Sequence, residues 1–149
     1  MTRINITTRL SDELLVNALG EEPRVLTAVV NRIEKGKHFK DIPKEFTLGT
    51  GHMKFFYNKC LYIWNRYTDL RFEYGKRFSK HYSLDHLESV VNKVDYIENN
   101  TPHLFNNWTP SEEDILLVKQ RIFERSKRYT RTHHYYGEPI KDWKTFLEI

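Results

Sequence analysis

The strongest constraint on the fold is a helix start at residues 109–112, which read Thr-Pro-Ser-Glu. Thr109 and Glu112 have the spacing of a capping box, and Pro110 suits the first helical position because no amide partner is needed there. The apolar residues that follow at helical spacing are Ile115, Val118 and Ile122. This pattern predicts an amphipathic helix whose apolar stripe faces a core.

Weaker helical patterns precede this one, and no convincing alternation of apolar and polar residues predicts strands. The expected helices cover residues 13–19, 23–36, 52–76 and 83–94. Ser11-Asp12 offers a cap for the first helix, Gly20 stops it, and Gly36 ends the second. In the third helix, the residues with core-facing spacing are Phe56, Cys60 and Ile63 or Trp64. We therefore predict an all-α fold of about three main helices, with long connecting loops and an aromatic, basic C-terminal segment.

Size and composition point to one globular domain. The chain has 149 residues, and Cys60 is its single cysteine, so an internal disulfide framework and a multi-cysteine zinc site are excluded. No apolar run resembles a signal peptide or a membrane span. We expect a monomer in a reducing, intracellular compartment, with no membrane partner.

Positive charge is concentrated near the C-terminus. Residues 119–136 carry six cations and one anion, so this segment is +5 while the rest of the chain sums to −1. Arg121, Arg125 and Arg128 share one side of the predicted helix. Such asymmetry suits a polyanion, but a solvated helix face explains it equally well. The following residues, 127–137, interleave cations with aromatic rings, which suits nucleic acid or a tyrosine-rich strap over the core.

Four blocks of sequence carry a more specific signal. They are Met-Thr-Arg-Ile-Asn at residues 1–5, Glu-Glu-Pro-Arg-Val at 21–25, Phe-Thr-Leu-Gly-Thr-Gly-His with Phe-Phe-Tyr-Asn-Lys across 46–59, and Gln120-Arg121 with Arg125 and the Tyr-Tyr-Gly of 135–137. In this order they resemble the endonuclease V family of T-even bacteriophages, the pyrimidine-dimer DNA glycosylases. The resemblance covers roughly residues 1–140 and leaves 141–149 as a short C-terminal extension.

The resemblance implies a glycosylase with AP-lyase activity that excises cyclobutane pyrimidine dimers from damaged double-stranded DNA. Its nucleophile would be the α-amine of Thr2, exposed when Met1 is removed. An α-amine has a pKa of about 7.7–8.0, so about a tenth of it is neutral and nucleophilic at pH 7. The resulting imine permits β-elimination, and neither step requires a metal or an organic cofactor. The implied setting is the bacterial cytoplasm or nucleoid, with a bacteriophage as a source.

The resemblance also makes Glu21 the catalytic carboxylate, which would stabilise positive charge at C1′ and assist proton movements. Read without the family, Glu21 is an ordinary first-turn glutamate favoured by a helix dipole. Glu22 takes the catalytic role if the alignment slips by one residue.

The expected DNA-binding residues are arginines. Arg3 and Arg24 match family arginines near the lesion phosphates, and Arg121 and Arg125 match a basic pair that contacts the backbone. Arg128 joins them because it shares their helix face. Phosphate contacts position an enzyme without reading sequence, as a search for lesions requires.

Several substrate-side positions depart from the family. Glu13, Leu14 and Gly20 stand where it has Gln, His and Arg, and Thr132 stands where it has Trp. The lost donors and the added anion would weaken DNA binding. Two alternatives therefore stay open: a glycosylase for another damaged or modified base, and a non-catalytic DNA-binding relative. A metalloenzyme is disfavoured because His133 and His134 are adjacent and no spacing completes a site.

Overall fold

The computed structural model describes residues 6–49 and 51–149, and of His52 only the backbone. The helices are α1 (Asp12–Glu21), α2 (Arg24–Lys35), α3 (His52–Phe56), α4 (Cys60–Phe78), α5 (Leu84–Asn100), α6 (Glu112–Ser126) and α7 (Trp143–Leu147). Two 3-10 turns, Thr7–Arg9 and Pro102–Leu104, and one hairpin of β1 (His134–Tyr135) and β2 (Glu138–Pro139) complete the described part. The all-α prediction is confirmed, although five of these helices, rather than about three, have ten residues or more. None of the described helices combines the length and apolar character that a bilayer crossing would need.

Helix α4 lies at the centre of the core. Ile63, Tyr67 and Leu70 recur at helical spacing along it and are fully buried. Helices α1 and α2 pack against α4, and α2 also packs against α5. Phe56 and Cys60 are likewise fully buried, as their spacing predicts, whereas Trp64 is half-buried.

Helix α1 runs two residues further than the sequence predicts. Ser11 caps it as expected, because its hydroxyl accepts the Leu14 amide at 3.1 Å. Gly20 does not stop the helix. It lies within α1, and the space that a Cβ would occupy is open. A helical glycine costs only about 1 kcal/mol relative to alanine, which tertiary packing can offset. Glu21 is therefore the last residue of α1 and does not lie in the first turn of α2.

The aromatic stretch at residues 52–76 is two helices instead of one. The chain breaks at Lys59, whose backbone is non-helical (φ −126°, ψ 40°) and whose ammonium donates to the Phe55 carbonyl at 2.8 Å. The bend lets the Phe56 ring stack on Tyr62, with Trp108 meeting both rings edge-on. Packing of the aromatic rings thus overrides the continuous helical pattern.

Two helix boundaries also differ from the sequence prediction. Helix α5 continues six residues past the expected end at 94, because Ile97 extends the buried stripe of Val90 and Val94. Helix α6 begins later than expected. Its capping box is formed by Ser111 and Asp114, each backbone amide donating to the other's side chain at 3.1 Å. The predicted box of Thr109 and Glu112 is therefore wrong.

The C-terminal segment folds back onto the helices. Its hairpin turn has positive φ at both Tyr136 (50°) and Gly137 (80°), the geometry that suits a two-residue turn. Helix α7 packs against α6, and its Leu147 is fully buried. The extension at 141–149 is therefore part of the packed structure.

Candidate active site

Adjacent carboxylates at the corner between α1 and α2 have opposite environments. Glu22 is fully buried and accepts a hydrogen bond from Arg66 Nε at 3.2 Å. Glu21 is half-buried and lines an open cavity. Helix α1 ends here because Pro23, which has no amide hydrogen to continue the hydrogen-bond ladder, precedes the first residue of α2. The corner thus commits Glu22 to the interior and leaves Glu21 at a surface cavity.

The cavity lies between α1 and α6 and has a volume of about 300 Å³. Glu21 and Asn17 line it from α1, and Arg125 lines it from α6. Leu14 and Tyr129 give it apolar and aromatic surface. Two of the predicted site residues, Glu21 and Arg125, therefore meet in one cavity although they are distant in sequence.

A second, basic groove of about 450 Å³ continues along α6. It is lined by Arg121, Arg125 and Arg128, as the shared helix face predicts, together with Leu48 and Glu124. Arg125 belongs to both the cavity and this groove. Three cations against one carboxylate give the groove a positive field suited to a polyanion.

The other predicted site residues are less well placed by the structure. Thr2 and Arg3 lie outside the described residues. Arg24 is exposed at the first position of α2, three residues after Glu21. The segment that leads from the N-terminus to the cavity is nevertheless held in place at Leu10. This residue lines the cavity, and its carbonyl accepts a hydrogen bond from Arg77 Nη1 at 2.6 Å.

Tyr129 is a cavity residue to which the sequence assigned no site role. Its ring stacks on His133, with centroids 4.1 Å apart and an interplanar angle of 4°. Burial raises the pKa of the Tyr129 phenol, and the charge of Arg125 only partly opposes this. The hydroxyl therefore stays protonated at neutral pH and can act as a hydrogen-bond donor at the cavity. Only the alternation of cations and aromatic rings after α6 hinted at this position.

Glu13 is committed to the hairpin. Its carboxylate accepts hydrogen bonds from the His134 backbone amide and from His134 Nδ1, both at 2.7 Å. Burial acts to raise the pKa of Glu13, but the hydrogen bonds from His134 outweigh it, and the net direction is downward. The Glu13 carboxylate, which the sequence led us to expect would repel DNA, is thus engaged in holding β1 against α1.

Arg77 fastens the same, N-terminal end of α1. Its side chain is fully buried and pairs with Asp12 at 3.1 Å and Glu73 at 3.0 Å. Asp12 also accepts the amides of Tyr136 and Gly137, at 3.1 and 2.9 Å, which holds the hairpin turn. One guanidinium therefore ties together α1, α4 and the C-terminal hairpin.

In chemical terms, the cavity offers a carboxylate, a phenol and one guanidinium group, and the neighbouring groove adds two further guanidinium groups. A carboxylate can stabilise positive charge or accept a proton, and guanidinium groups pair with phosphates. Among the described residues, no group of three or more His, Cys, Asp or Glu is arranged to hold a metal ion. No model of a known protein family matches the chain.

Proposed function

We propose that this chain is a DNA glycosylase with AP-lyase activity that acts on cyclobutane pyrimidine dimers. The α-amine of Thr2 is the nucleophile, Glu21 is the catalytic carboxylate, and the arginines of α6 bind the DNA backbone. The observation that carries the proposal is the cavity lined by both Glu21 and Arg125, since Arg125 also lines the basic groove. A pure DNA-binding protein has no need of a carboxylate beside its phosphate-binding arginines.

The reaction follows from these groups. The neutral amine of Thr2 attacks C1′ of the damaged nucleotide, the glycosidic bond breaks, and the base leaves with the electron pair and gains a proton. The sugar ring then opens to an imine on the Thr2 nitrogen. Removal of a C2′ proton expels the 3′ phosphate and breaks the strand. Glu21 stabilises the positive charge at C1′ and on the protonated imine, and it assists these proton transfers.

Thr2 lies close along the chain to the first residue that the structure describes. Thr2 precedes Ile6 by four residues, so its nitrogen stays within about 14 Å of Ile6. Ile6 is buried in the core, and the Thr7 carbonyl accepts a hydrogen bond from Arg77 at 3.4 Å. The described chain is therefore anchored from Ile6 onward, four residues after Thr2.

Glu22 is a poor alternative to Glu21. Its side chain is fully buried beside Arg66, so it cannot approach a nucleotide without breaking a buried ion pair. Such a break leaves an uncompensated charge and costs about 3–5 kcal/mol. Glu21 is the last residue of α1 and is not a first-turn residue of α2, so its position differs from that of an ordinary first-turn glutamate.

Borohydride trapping tests the proposal directly. The protein with a free Thr2 amine is incubated with duplexes that carry a thymine dimer, an abasic site or another base lesion, and covalent adducts are resolved on denaturing gels. We expect adducts with the dimer and the abasic site. The matched control retains Met1 or carries an acetylated Thr2, and it should give none. Absence of an adduct with every substrate would falsify the imine mechanism.

A second candidate is the same chemistry on another damaged or modified base. Leu14 lines the cavity where the family resemblance leads us to expect a histidine. An apolar wall cannot donate to phosphate and favours contact with a base or its substituents. An adduct with a different base lesion and the abasic site, but none with the dimer, would select this candidate.

A further inference from the structure

A large apolar groove lies on a different part of the molecule, between α4 and α5. Its volume is about 900 Å³, and none of its lining residues belongs to the cavity of Glu21. Trp64 and Phe72 line it from α4, Tyr82 lines it from the connecting turn, and Leu87 and Val91 line it from α5. A groove of this size between two long helices is a common form of peptide-binding site.

Positive charge surrounds this groove. Arg71, Lys76 and Lys80 line it, and none of the described residues lining it carries a carboxylate. The hydrogen bonds of the Arg71 guanidinium go to neutral oxygens, the carbonyls of Tyr82 at 2.5 Å and Ser83 at 3.0 Å and the Tyr67 hydroxyl at 3.2 Å. These bonds fix the side chain without neutralising its charge.

Phe72 gives the groove an exposed anchor point. Its side chain is 72% exposed, more than any other large apolar residue described as exposed in this structure. Gly75 lies one helical turn further along α4 and leaves space where a side chain would otherwise stand. Exposure of so large a ring beside an apolar groove is typical of a surface that another molecule covers.

We propose that this groove binds an acidic amphipathic segment of a partner protein. The apolar side chains of the segment occupy the groove against Phe72, and its carboxylates face the three surrounding cations. Charge complementarity selects an acidic partner because the described residues that line the groove offer cations and apolar surface but no anion. This interaction is independent of the DNA chemistry proposed above.

Single-stranded nucleic acid fits the groove less well. Stacking of successive bases requires a row of open aromatic faces. Tyr82 is held edge-on to Tyr74 and His86, with centroids 5.3 Å apart in each pair, and Trp64 is half-buried beside Tyr67. Among the Phe, Tyr and Trp rings that line the groove, Phe72 alone is exposed, which suits one apolar anchor and not a stack of bases.

The test uses two displayed pools of helical peptides of about 16 residues. Both pools carry varied apolar residues at i, i+3, i+4 and i+7, with glutamate at the other positions in one pool and lysine in the second. The full-length protein is the bait, and the enriched peptides are measured by fluorescence anisotropy. We expect enrichment from the glutamate pool only, with binding that weakens as salt rises.

Two variants target the groove with little risk to folding. Phe72→Glu changes an exposed side chain, and Gly75→Met fills the groove. A Cβ at Gly75 would lie 3.9 Å from the Lys80 carbonyl, an ordinary contact, and methionine favours the helix. Each variant should weaken peptide binding about tenfold or more, as loss of a central anchor does. Circular dichroism checks that both remain helical.

Matched controls are Leu116→Glu and Lys35→Glu, which change exposed residues outside the groove and should leave peptide binding unaltered. The proposal is overturned if the glutamate pool yields no binder, if the lysine pool enriches equally, or if Phe72→Glu binds the selected peptides normally. Binding of oligothymidylate that depends on Phe72, without peptide binding, would identify a nucleic-acid surface instead.

Discussion

The interior arginines of this protein and the arginines of α6 are the same residue type in opposite settings. Arg66 and Arg77 are fully buried, and each is paired with glutamate or aspartate. Arg121, Arg125 and Arg128 instead line an open groove that has one carboxylate among its lining residues. The buried set joins helices to one another, whereas the α6 set leaves positive charge available to a partner.

The difference shows which charges stabilise the fold and which are available for binding. A buried guanidinium is tolerated only where carboxylates and carbonyls surround it, because desolvating an unpaired charge is very costly. An exposed guanidinium has no such requirement. A surface where exposed arginines outnumber carboxylates therefore indicates a binding site for an anionic partner. Glu22 and Glu21 repeat the contrast at neighbouring positions, one buried against Arg66 and one at a cavity.

The largest expected effect is on catalysis. Glu21→Gln removes the carboxylate and keeps the shape, so base release should fall by about 10²–10⁴-fold, the usual contribution of a positioned proton-transfer group. Binding to undamaged duplex should persist, because the arginines are unchanged. Single-turnover base release and fluorescence anisotropy measure the two effects. Glu98→Gln, a change of an exposed residue on α5, is the control, and full activity of Glu21→Gln would remove Glu21 from the mechanism.

The next effect is on stability. Arg66→Met leaves Glu22 buried without its guanidinium and should lower the free energy of unfolding by about 3–5 kcal/mol. The double variant Glu22→Leu/Arg66→Met should recover much of this loss, since two apolar groups replace two charges. Urea unfolding followed by circular dichroism gives both values. A loss below about 1 kcal/mol in the single variant would contradict the buried setting of this pair.

A smaller effect is expected from the open groove. Arg125→Gln removes a cation that contacts DNA phosphate in our proposal, so duplex affinity should fall similarly for all sequences. The slope of log affinity against log salt should decrease by about one unit. Binding titrations at several salt concentrations measure this, with Lys35→Gln on α2 as the control. An unchanged salt slope would mean that Arg125 makes no phosphate contact, and its groove would lose its proposed role.

The smallest effect concerns pH. The pKa of Glu13 is lower in the folded protein, so its contribution to stability is complete above the ordinary value of 4.5 and is lost as pH falls through the folded pKa. Glu13→Gln should therefore lose less stability than the wild type between about pH 6 and pH 3. Urea midpoints across this range measure it, and Glu98→Gln on the exposed face of α5 is the control. Equal acid sensitivity in both proteins would show that the contact with His134 does not stabilise the fold.

Much of the helical architecture could be predicted from local pattern. Ser11 as a cap, Gly36 as a helix end and the buried positions of Phe56 and Cys60 all follow from spacing and side-chain chemistry. The predicted helix boundaries were wrong where contacts with residues distant in sequence determine the backbone conformation. Gly20 stays helical within α1, and the bend before Cys60 is stabilised by Trp108, which lies about fifty residues away in sequence.

The candidate site was predictable in part. The helical repeat alone put Arg121, Arg125 and Arg128 on one face, and they line one groove. The meeting of Glu21 with Arg125 and Tyr129 could not be read from spacing, since Glu21 lies more than a hundred residues before them in the sequence. The roles of Thr2 and Arg3 remain predictions.

The sequence by itself determined the all-α class, most helix positions and the basic face of α6, because caps and apolar periodicity act between residues a few positions apart. Only the tertiary structure decided which charges are internal and which are available. Glu21 and Glu22 are identical neighbours in sequence, and Arg66 and Arg125 are the same residue type. Their different roles depend on what packs around them, and solvent exclusion by distant helices sets that environment.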